Sequence, residues 1–123
     1  MMKKILLVDD SLTMLMSMEG VLKRAGFDVK TVTDGASALT LVPQYSPDLV
    51  ITDLNMPNMD GISLIKELKK LPNMRFKPIL MLTTESQQSK KVEAKAAGAT
   101  GWLVKPVSPT DLTDVIKKVL PGA

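Results

Sequence analysis

The feature that most constrains the fold of this chain is the alternation of short, unbroken aliphatic runs with longer segments of helical periodicity. Unbroken runs of valine, isoleucine and leucine are typical of strands that are buried on both faces. The longer segments repeat apolar residues every three or four positions, which is the spacing of one helix face. These runs predict strands at residues 5–8, 49–52 and 79–82. Two further strands are predicted at residues 28–32, which alternate like an edge strand, and at residues 101–104, and a helix follows each of the five.

The predicted helices are defined by their apolar positions and by the residues that stop them. In chain order, these positions are Leu15, Met18, Leu22 and Ala25; Ala38, Leu39 and Val42; Leu64, Ile65, Leu68 and Leu71; the segment 86–97; and Leu112, Val115, Ile116 and Val119. Glycine or proline is expected to end four of them, at Gly26, Pro72, Gly98 and Pro121-Gly122. Residues 55–61 are predicted as a loop.

This order of elements predicts an α/β fold. Parallel strands that are joined through helices need right-handed crossovers, which lay helices on both faces of the sheet. We therefore expect a doubly wound parallel sheet of five strands flanked by five helices, in one domain over residues 1–123. In sheets of this kind, the functional crevice lies beyond the carboxyl ends of the strands.

The composition excludes several kinds of chemistry. The sequence contains no cysteine and no histidine. Disulfides, thiolate catalysis, serine–histidine triads and a phosphohistidine carrier within the chain are therefore excluded. Any chemistry must come from carboxylates, hydroxyls, lysines and a bound metal.

Charge and hydropathy indicate a cytoplasmic protein. The net charge is +3, and lysine clusters such as Lys90-Lys91 and Lys117-Lys118 are interpreted as solvated helix faces. No zinc motif or basic tail suggests nucleic acid as a partner. No apolar run reaches the roughly 20 residues that span a bilayer, and the start of the chain is too short for a signal peptide. We expect a monomer that contacts neither nucleic acid nor membrane.

Chemistry-bearing residues stand at the end of four predicted strands. Asp9 and Asp10 follow the first strand, Asp53 the third, Thr83 the fourth and Lys105 the fifth. Because parallel strands end at the same edge of a sheet, we expect these side chains to converge.

Such a cluster needs a cation. Two unit charges about 4 Å apart repel by about 4 kcal/mol at an effective dielectric of about 20. Oxygen ligands with several carboxylates suit Mg²⁺, which phosphate often completes. A carboxylate nucleophile, a metal and a lysine are the parts needed to move a phosphoryl group. Asp53 is the candidate nucleophile because it stands alone at the end of the central strand.

Each residue alone also has a purely structural interpretation. Asp10 or Ser11 could cap the first helix, and Thr83 could belong to a turn before the fourth. Lys105 could be solvated, and Trp102 could be a packing aromatic. The methionines are interpreted as core or loop packing residues: Met14, Met18, Met56, Met59 and Met81. These structural interpretations are jointly correct only if chance placed the carboxylates, the hydroxyl and the lysine at the carboxyl ends of four strands.

Taken together, these residues resemble a known family. The pair Asp9-Asp10, Thr83, Lys105-Pro106 and the run Asp53-Leu54-Asn55-Met56-Pro57-Asn58-Met59-Asp60-Gly61 resemble the receiver domains of response regulators. The resemblance covers essentially the whole chain and is strongest to stand-alone chemotaxis-type receivers. It implies a flavodoxin-like fold with strand order 2-1-3-4-5, and a signalling switch rather than a turnover enzyme.

The resemblance also implies roles for individual residues. Asp53 would be the phosphoacceptor. Asp10, Asp53 and the backbone carbonyl of Asn55 would hold Mg²⁺, for which Mn²⁺ can substitute, and Asp9 would act largely through water. Lys105 would contact the phosphoryl group, and the Lys105–Pro106 peptide bond would be cis. Thr83 would be the switch hydroxyl.

Further roles and partners follow from the same resemblance. Asn55 and Glu85 would flank the water that hydrolyses the acyl phosphate. Trp102 stands where the family has tyrosine or phenylalanine, and an indole cannot offer a phenol hydroxyl. The implied partners are a histidine kinase, a phosphatase and a downstream protein such as a flagellar motor switch component. The surface of the fourth helix, fifth strand and fifth helix would change on phosphorylation.

Two alternatives come from other functional classes. The domain could be a phosphate sink or a constitutive binding module, because Trp102 replaces the tyrosine or phenylalanine of the family's aromatic switch position. It could instead be an enzyme, either a small flavin or nucleotide protein or an acid phosphohydrolase. No glycine-rich loop follows the first strand, and Asn55 replaces the second carboxylate of some aspartyl phosphatases.

Overall fold

The structure, a computed structural model, describes residues 2–120 and contains one sheet with helices on both faces. The strands are β1 Lys4–Val8, β2 Asp28–Val32, β3 Leu49–Thr52, β4 Ile79–Thr83 and β5 Gly101–Val104. The helices are α1 Leu12–Arg24, α2 Gly35–Tyr45, α3 Gly61–Leu68, α4 Gln88–Ala97 and α5 Pro109–Val119. A short 3₁₀ helix, Pro72–Met74, precedes β4. No helix in this part of the chain is long and apolar enough to cross a membrane.

All neighbouring strands are parallel, in the order β2-β1-β3-β4-β5. This confirms the predicted fold class and strand order. The alternation of side chains along each strand divides the core into two layers. Leu6 and Val8 of β1 pack in the layer beneath α2, α3 and α4, whereas Ile5 and Leu7 pack in the layer beneath α1 and α5. The uninterrupted aliphatic runs are therefore explained by burial on both faces.

Side-chain caps start helices α1, α2 and α3. Ser11, Asp34 and Asp60 accept backbone N–H groups of these helices, respectively. Short connections between β1 and α1 and between β2 and α2 keep the strand ends close to the helix starts, and this edge is where the predicted site residues lie.

The structure corrects several helix boundaries. Helix α3 starts at Gly61, which the sequence pattern places in a loop, and it ends at Leu68 rather than at Leu71. Leu71 still packs against the core, which explains its place in the apolar pattern. Helix α4 starts at Gln88, two residues later than predicted.

The first helix also ends earlier than its apolar pattern. Ala25 is the C-cap of α1 and is exposed, so it does not extend the buried face. The predicted stop of the last helix at Pro121-Gly122 lies outside the described residues. The methionine interpretation holds: Met18, Met56 and Met81 are buried, and Met14 and Met59 pack against the core.

Candidate functional site

The parallel ladder brings the predicted site residues to one edge of the sheet. Backbone pairing continues beyond the strand ends, since the Asp53 N–H donates to the Val8 carbonyl at 2.9 Å and the Lys105 N–H donates to the Thr83 carbonyl at 2.8 Å. Asp53 therefore stands beside the end of β1, where Asp9 follows, and Lys105 stands beside the end of β4. The convergence that the sequence predicted is present.

The three carboxylates form one cluster. Asp9, Asp10 and Asp53 each offer a carboxylate oxygen, and these oxygens lie within 4.8 Å of one another. Asp9 is only 4% exposed, Asp53 is half-buried and Asp10 is exposed. The cluster thus opens to solvent on the side of Asp10.

Lys105 is the cation that faces this cluster. Its Nζ lies 2.6 Å from Asp9 Oδ2 and 3.4 Å from Asp53 Oδ2, and its side chain is 11% exposed. Three carboxylates facing this one ammonium leave an excess of two negative charges. An all-oxygen donor set with that excess fits a hard divalent cation, so the cluster could hold a metal ion. The Lys105–Pro106 peptide bond is cis, as the family resemblance implied.

Backbone amides orient two of the carboxylates. Asp9 Oδ1 accepts the Ser11 N–H at 2.9 Å, and Asp53 Oδ1 accepts the Leu54 N–H at 2.7 Å. In each case, the other oxygen is left to face Lys105. Ser11, not Asp10, caps α1, so the cap interpretation applies to Ser11 and the Asp10 carboxylate belongs to the cluster.

Thr83 lies at the same edge of the sheet, but its hydroxyl contacts a residue outside the carboxylate cluster. It is fully buried, and its hydroxyl accepts the Glu85 N–H at 3.3 Å. Within residues 2–120, no hydrogen bond joins it to Asp53. The turn interpretation of Thr83 is therefore present in this structure, and the hydroxyl hydrogen, which this contact does not use, remains able to donate elsewhere.

Glu85 connects Thr83 with Trp102. The Glu85 carboxylate accepts the N–H groups of Ser86 and Gln87, both at 3.1 Å, and its backbone carbonyl accepts the Trp102 indole N–H at 3.0 Å. The bonds to the carboxylate lie in the segment 86–87, which was predicted as the start of α4 and precedes the observed start at Gln88. Trp102 is half-buried and packs against the core, so the packing interpretation is correct for its ring, while its N–H binds the loop between β4 and α4.

Asn55 is the predicted site residue that follows Asp53 most closely in the chain. It is exposed in the loop that follows Asp53. Among the described residues, its side chain makes no hydrogen bond.

Gly61 belongs to the motif that carries the family resemblance, but no role was predicted for it. A Cβ atom on Gly61 would lie 2.3 Å from the Asp53 carbonyl oxygen, so α3 can start this close to Asp53 only from a glycine. The Gly61 N–H also donates to the Leu54 carbonyl at 2.8 Å. The signal in the sequence was a glycine placed directly after an aspartate suited to capping.

Comparisons with known proteins agree with this geometry. The sequence profile of the response regulator receiver domain family matches residues 5–117. Chemotaxis protein CheY-3 of Vibrio cholerae is 36% identical over 117 residues, which are 94% of this chain and 90% of that protein.

Solved structures show the same similarity. A structure of chemotaxis protein CheY4 of Vibrio cholerae has a TM-score of 0.95 at 43% identity and covers 98% of this chain and 100% of its own. The receiver domain of a sensor histidine kinase of Pseudomonas aeruginosa, solved with a magnesium ion coordinated in its active site cleft, has a TM-score of 0.89 at 28% identity. That match covers 97% of this chain and 98% of the other.

Proposed function

The chain belongs to the receiver domains of response regulators, among CheY-like signalling domains, and we propose that it is a switch activated by phosphorylation of Asp53. Membership of this family makes it a signalling domain of two-component systems rather than an enzyme that turns over an external substrate. Its curated relatives include chemotaxis proteins, which supports a role in chemotaxis.

The observation that carries the proposal is the different environment of the two Asp53 carboxylate oxygens. Oδ1 is held by the Leu54 N–H, whereas Oδ2 points to Lys105 at 3.4 Å and belongs to the carboxylate cluster. A nucleophile that is fixed by one oxygen and open at the other beside a positive charge is suited to attack phosphorus.

In the proposed transfer, Asp53 Oδ2 attacks the phosphorus and forms a P–O bond. The bond between phosphorus and the donor breaks: this is a P–N bond when the donor is a phosphohistidine and a P–O bond when it is acetyl phosphate. The departing imidazole keeps the electron pair and takes a proton from solvent, whereas acetate departs as the anion. Lys105 supplies fixed positive charge beside the transferred group.

Asp9, Asp10, Asp53 and the Asn55 backbone carbonyl would hold Mg²⁺ or Mn²⁺. Bound there, the ion would neutralise negative charge on the phosphoryl oxygens. The buried pair of Asp9 with Lys105 is consistent with Asp9 acting through water, because one of its oxygens is already occupied by the ammonium. The magnesium ion coordinated in the cleft of the Pseudomonas aeruginosa receiver supports the same choice of metal.

The switch itself would run from Thr83 to the surface of α4, β5 and α5. On phosphorylation, the Thr83 hydroxyl would donate its hydrogen to a phosphoryl oxygen. Ala94 is the one residue of ten that α4 buries, so this helix is weakly anchored and suited to repacking. Val92 on α4 and Val104 on β5 are 59% and 40% exposed, which offers apolar contact area to a partner.

The partners follow from the proposed cycle. A histidine kinase would supply the phosphoryl group, and a downstream protein such as a flagellar motor switch component would bind the phosphorylated surface. Asn55 and Glu85 would set the lifetime of the acyl phosphate, which a phosphatase could shorten. The whole chain, 1–123, would act as one cytoplasmic receiver domain and as a monomer.

The experiment that tests the proposal is the intact mass of the protein after incubation with acetyl phosphate. We expect a gain of one phosphoryl group that requires Mg²⁺ and that is lost in Asp53→Asn. Asp114→Asn, which removes an exposed carboxylate on α5, serves as the matched control and should still gain the group. If wild type gains no phosphoryl group and does not bind beryllofluoride, the site is inert and the proposal is wrong.

One observation favours the alternative of a phosphate sink or constitutive binding module. The Trp102 indole N–H binds the Glu85 backbone carbonyl at 3.0 Å, a contact that includes no atom of the carboxylate cluster, so its ring could present the same surface in both states. The affinity of an output partner with and without beryllofluoride distinguishes the two functions. A change in affinity supports the switch, whereas equal affinities support the constitutive module.

A further inference from the structure

Thr52, the residue directly before the proposed phosphoacceptor, carries an inference that rests on the proposed function. Thr52 is the last residue of β3 and is fully buried. Its hydroxyl donates to the Asp53 backbone carbonyl at 2.9 Å. The sequence pattern indicates only a strand residue here, because a threonine in an aliphatic run is ordinary for a strand.

The carbonyl that accepts this bond belongs to a peptide unit that touches the nucleophile at its other end. The same unit carries the Leu54 N–H, which donates to Asp53 Oδ1 at 2.7 Å. A peptide unit is planar, so fixing its carbonyl also fixes the direction of its N–H. The Thr52 hydroxyl therefore helps to set the direction from which Asp53 Oδ1 is held.

A second feature restricts the same carbonyl. Gly61, the first residue of α3, approaches the Asp53 carbonyl oxygen so closely that a Cβ atom there would lie 2.3 Å away. The Asp53 carbonyl is therefore confined between the Thr52 hydroxyl and the start of α3. Two independent contacts on one atom indicate that the orientation of this peptide unit matters to the site.

We propose that Thr52 is a positioning residue for phosphorylation, acting through the Asp53–Leu54 peptide unit on the carboxylate of Asp53. With the peptide fixed, Oδ1 stays on the Leu54 N–H and Oδ2 stays directed to Lys105, 3.4 Å away. Without the hydroxyl, the peptide unit can tilt and Oδ2 is aligned for a smaller fraction of the time. The rate of phosphoryl uptake falls, although the nucleophile and Lys105 are unchanged.

The test compares proteins that carry a hydroxyl at residue 52 with proteins that lack it. Thr52→Val removes the hydroxyl at nearly constant shape, and Thr52→Ser retains it. The rate of Mg²⁺-dependent phosphoryl gain from acetyl phosphate is followed by intact mass, and the unfolding midpoint of each variant is measured beside it. We expect Thr52→Val to slow the uptake about fivefold, the factor expected for loss of one hydrogen bond of ordinary strength. Thr52→Ser should stay within about twofold of wild type by the same reasoning.

A merely structural threonine would give a different result, because stability would change while the rate did not. Uptake by Thr52→Val at the wild-type rate would overturn the inference and leave the proposed function intact. Absence of uptake in wild type would overturn both. If Thr52→Val does not fold, Thr52→Ser and Thr52→Ala provide the same comparison, and equal rates in that pair would also overturn the inference.

Discussion

Replacement of Lys105 by methionine tests whether one buried ammonium holds the acidic cluster together. The Lys105 Nζ lies 2.6 Å from Asp9 Oδ2, and the two side chains are 11% and 6% exposed. Removal of one partner from a buried pair leaves an uncompensated charge and costs about 3–5 kcal/mol. The cluster is open to solvent at Asp10, so we expect the lower end of that range, about 3 kcal/mol. For a domain of this size, that corresponds to a fall in melting temperature of about 10 °C.

The assay is reversible unfolding by urea and by heat in EDTA, so that no divalent cation neutralises the cluster. The matched control is Lys70→Met, because Lys70 pairs with Glu67 at 2.8 Å but the two side chains are 73% and 41% exposed. An exposed pair of this kind contributes less than about 1 kcal/mol. The two ion pairs have similar N–O distances, so the difference between the two variants in the free energy of unfolding reports the effect of burial.

The double variant Lys105→Met with Asp9→Asn provides the second comparison. It removes both charges of the Lys105–Asp9 pair, so it should be more stable than Lys105→Met alone. If Lys105→Met costs no more than Lys70→Met, or if Asp9→Asn does not restore stability, then the ammonium does not compensate the buried carboxylate and the reasoning fails.

Three further predictions follow from other parts of the molecule. Millimolar Mg²⁺ should raise the melting temperature of wild type but not that of Asp10→Asn, because the ion binds the folded cluster and not the unfolded chain. Burial alone would raise the pKa of Asp48, but the Lys4 backbone N–H and the Lys77 ammonium outweigh it and hold the pKa below its ordinary 3.8. Asp48 therefore stabilises the fold above that pH and loses this effect as the pH falls through the lowered pKa, so Asp48→Asn should flatten the acid side of a plot of melting temperature against pH. Gly98→Ala should cost about 1–2 kcal/mol in urea unfolding, because Gly98 has a φ of +119°.

Each of these predictions has an outcome that would contradict it. A Mg²⁺ shift that persists in Asp10→Asn would place the ion elsewhere. Equal acid profiles for wild type and Asp48→Asn would mean that the carboxylate titrates alike in the folded and unfolded chain. A neutral Gly98→Ala would show that the C-terminus of α4 can adopt another backbone conformation at no cost.

Much of the fold could be predicted from the sequence because burial on both faces leaves a direct trace in residue type. The aliphatic runs located the central strands β1, β3 and β4, and alternation located the edge strand β2. The strand order that the family resemblance implied was also found. Helix ends were less accurate, because periodicity defines the buried face of a helix and not the residue at which it starts. Ser86 and Gln87 illustrate this, since they were predicted to be helical but lie before α4, where their N–H groups bind the Glu85 carboxylate.

The site residues were predictable by type because carboxylates, a threonine and a lysine follow directly upon strands, and parallel strands end together. Their arrangement was not predictable. That Asp9, rather than Asp53, is the nearer partner of Lys105 depends on how the strand ends stand relative to one another. The same applies to Thr52 and Gly61, whose closeness to the Asp53 carbonyl has no counterpart in periodicity or composition.

By itself, therefore, the sequence determined the layers, the order of the elements and the edge at which the chemistry collects. Those features depend on local periodicity, which acts within one element, and on the handedness of crossovers, which acts within one strand–helix–strand unit. Only the tertiary structure decided which oxygen of Asp53 is held, which carboxylate pairs with Lys105 and what the Trp102 N–H binds. Lys105 and Asp9 are 96 positions apart in the chain but 2.6 Å apart in space, and a contact of that kind is set by the packing of the whole sheet.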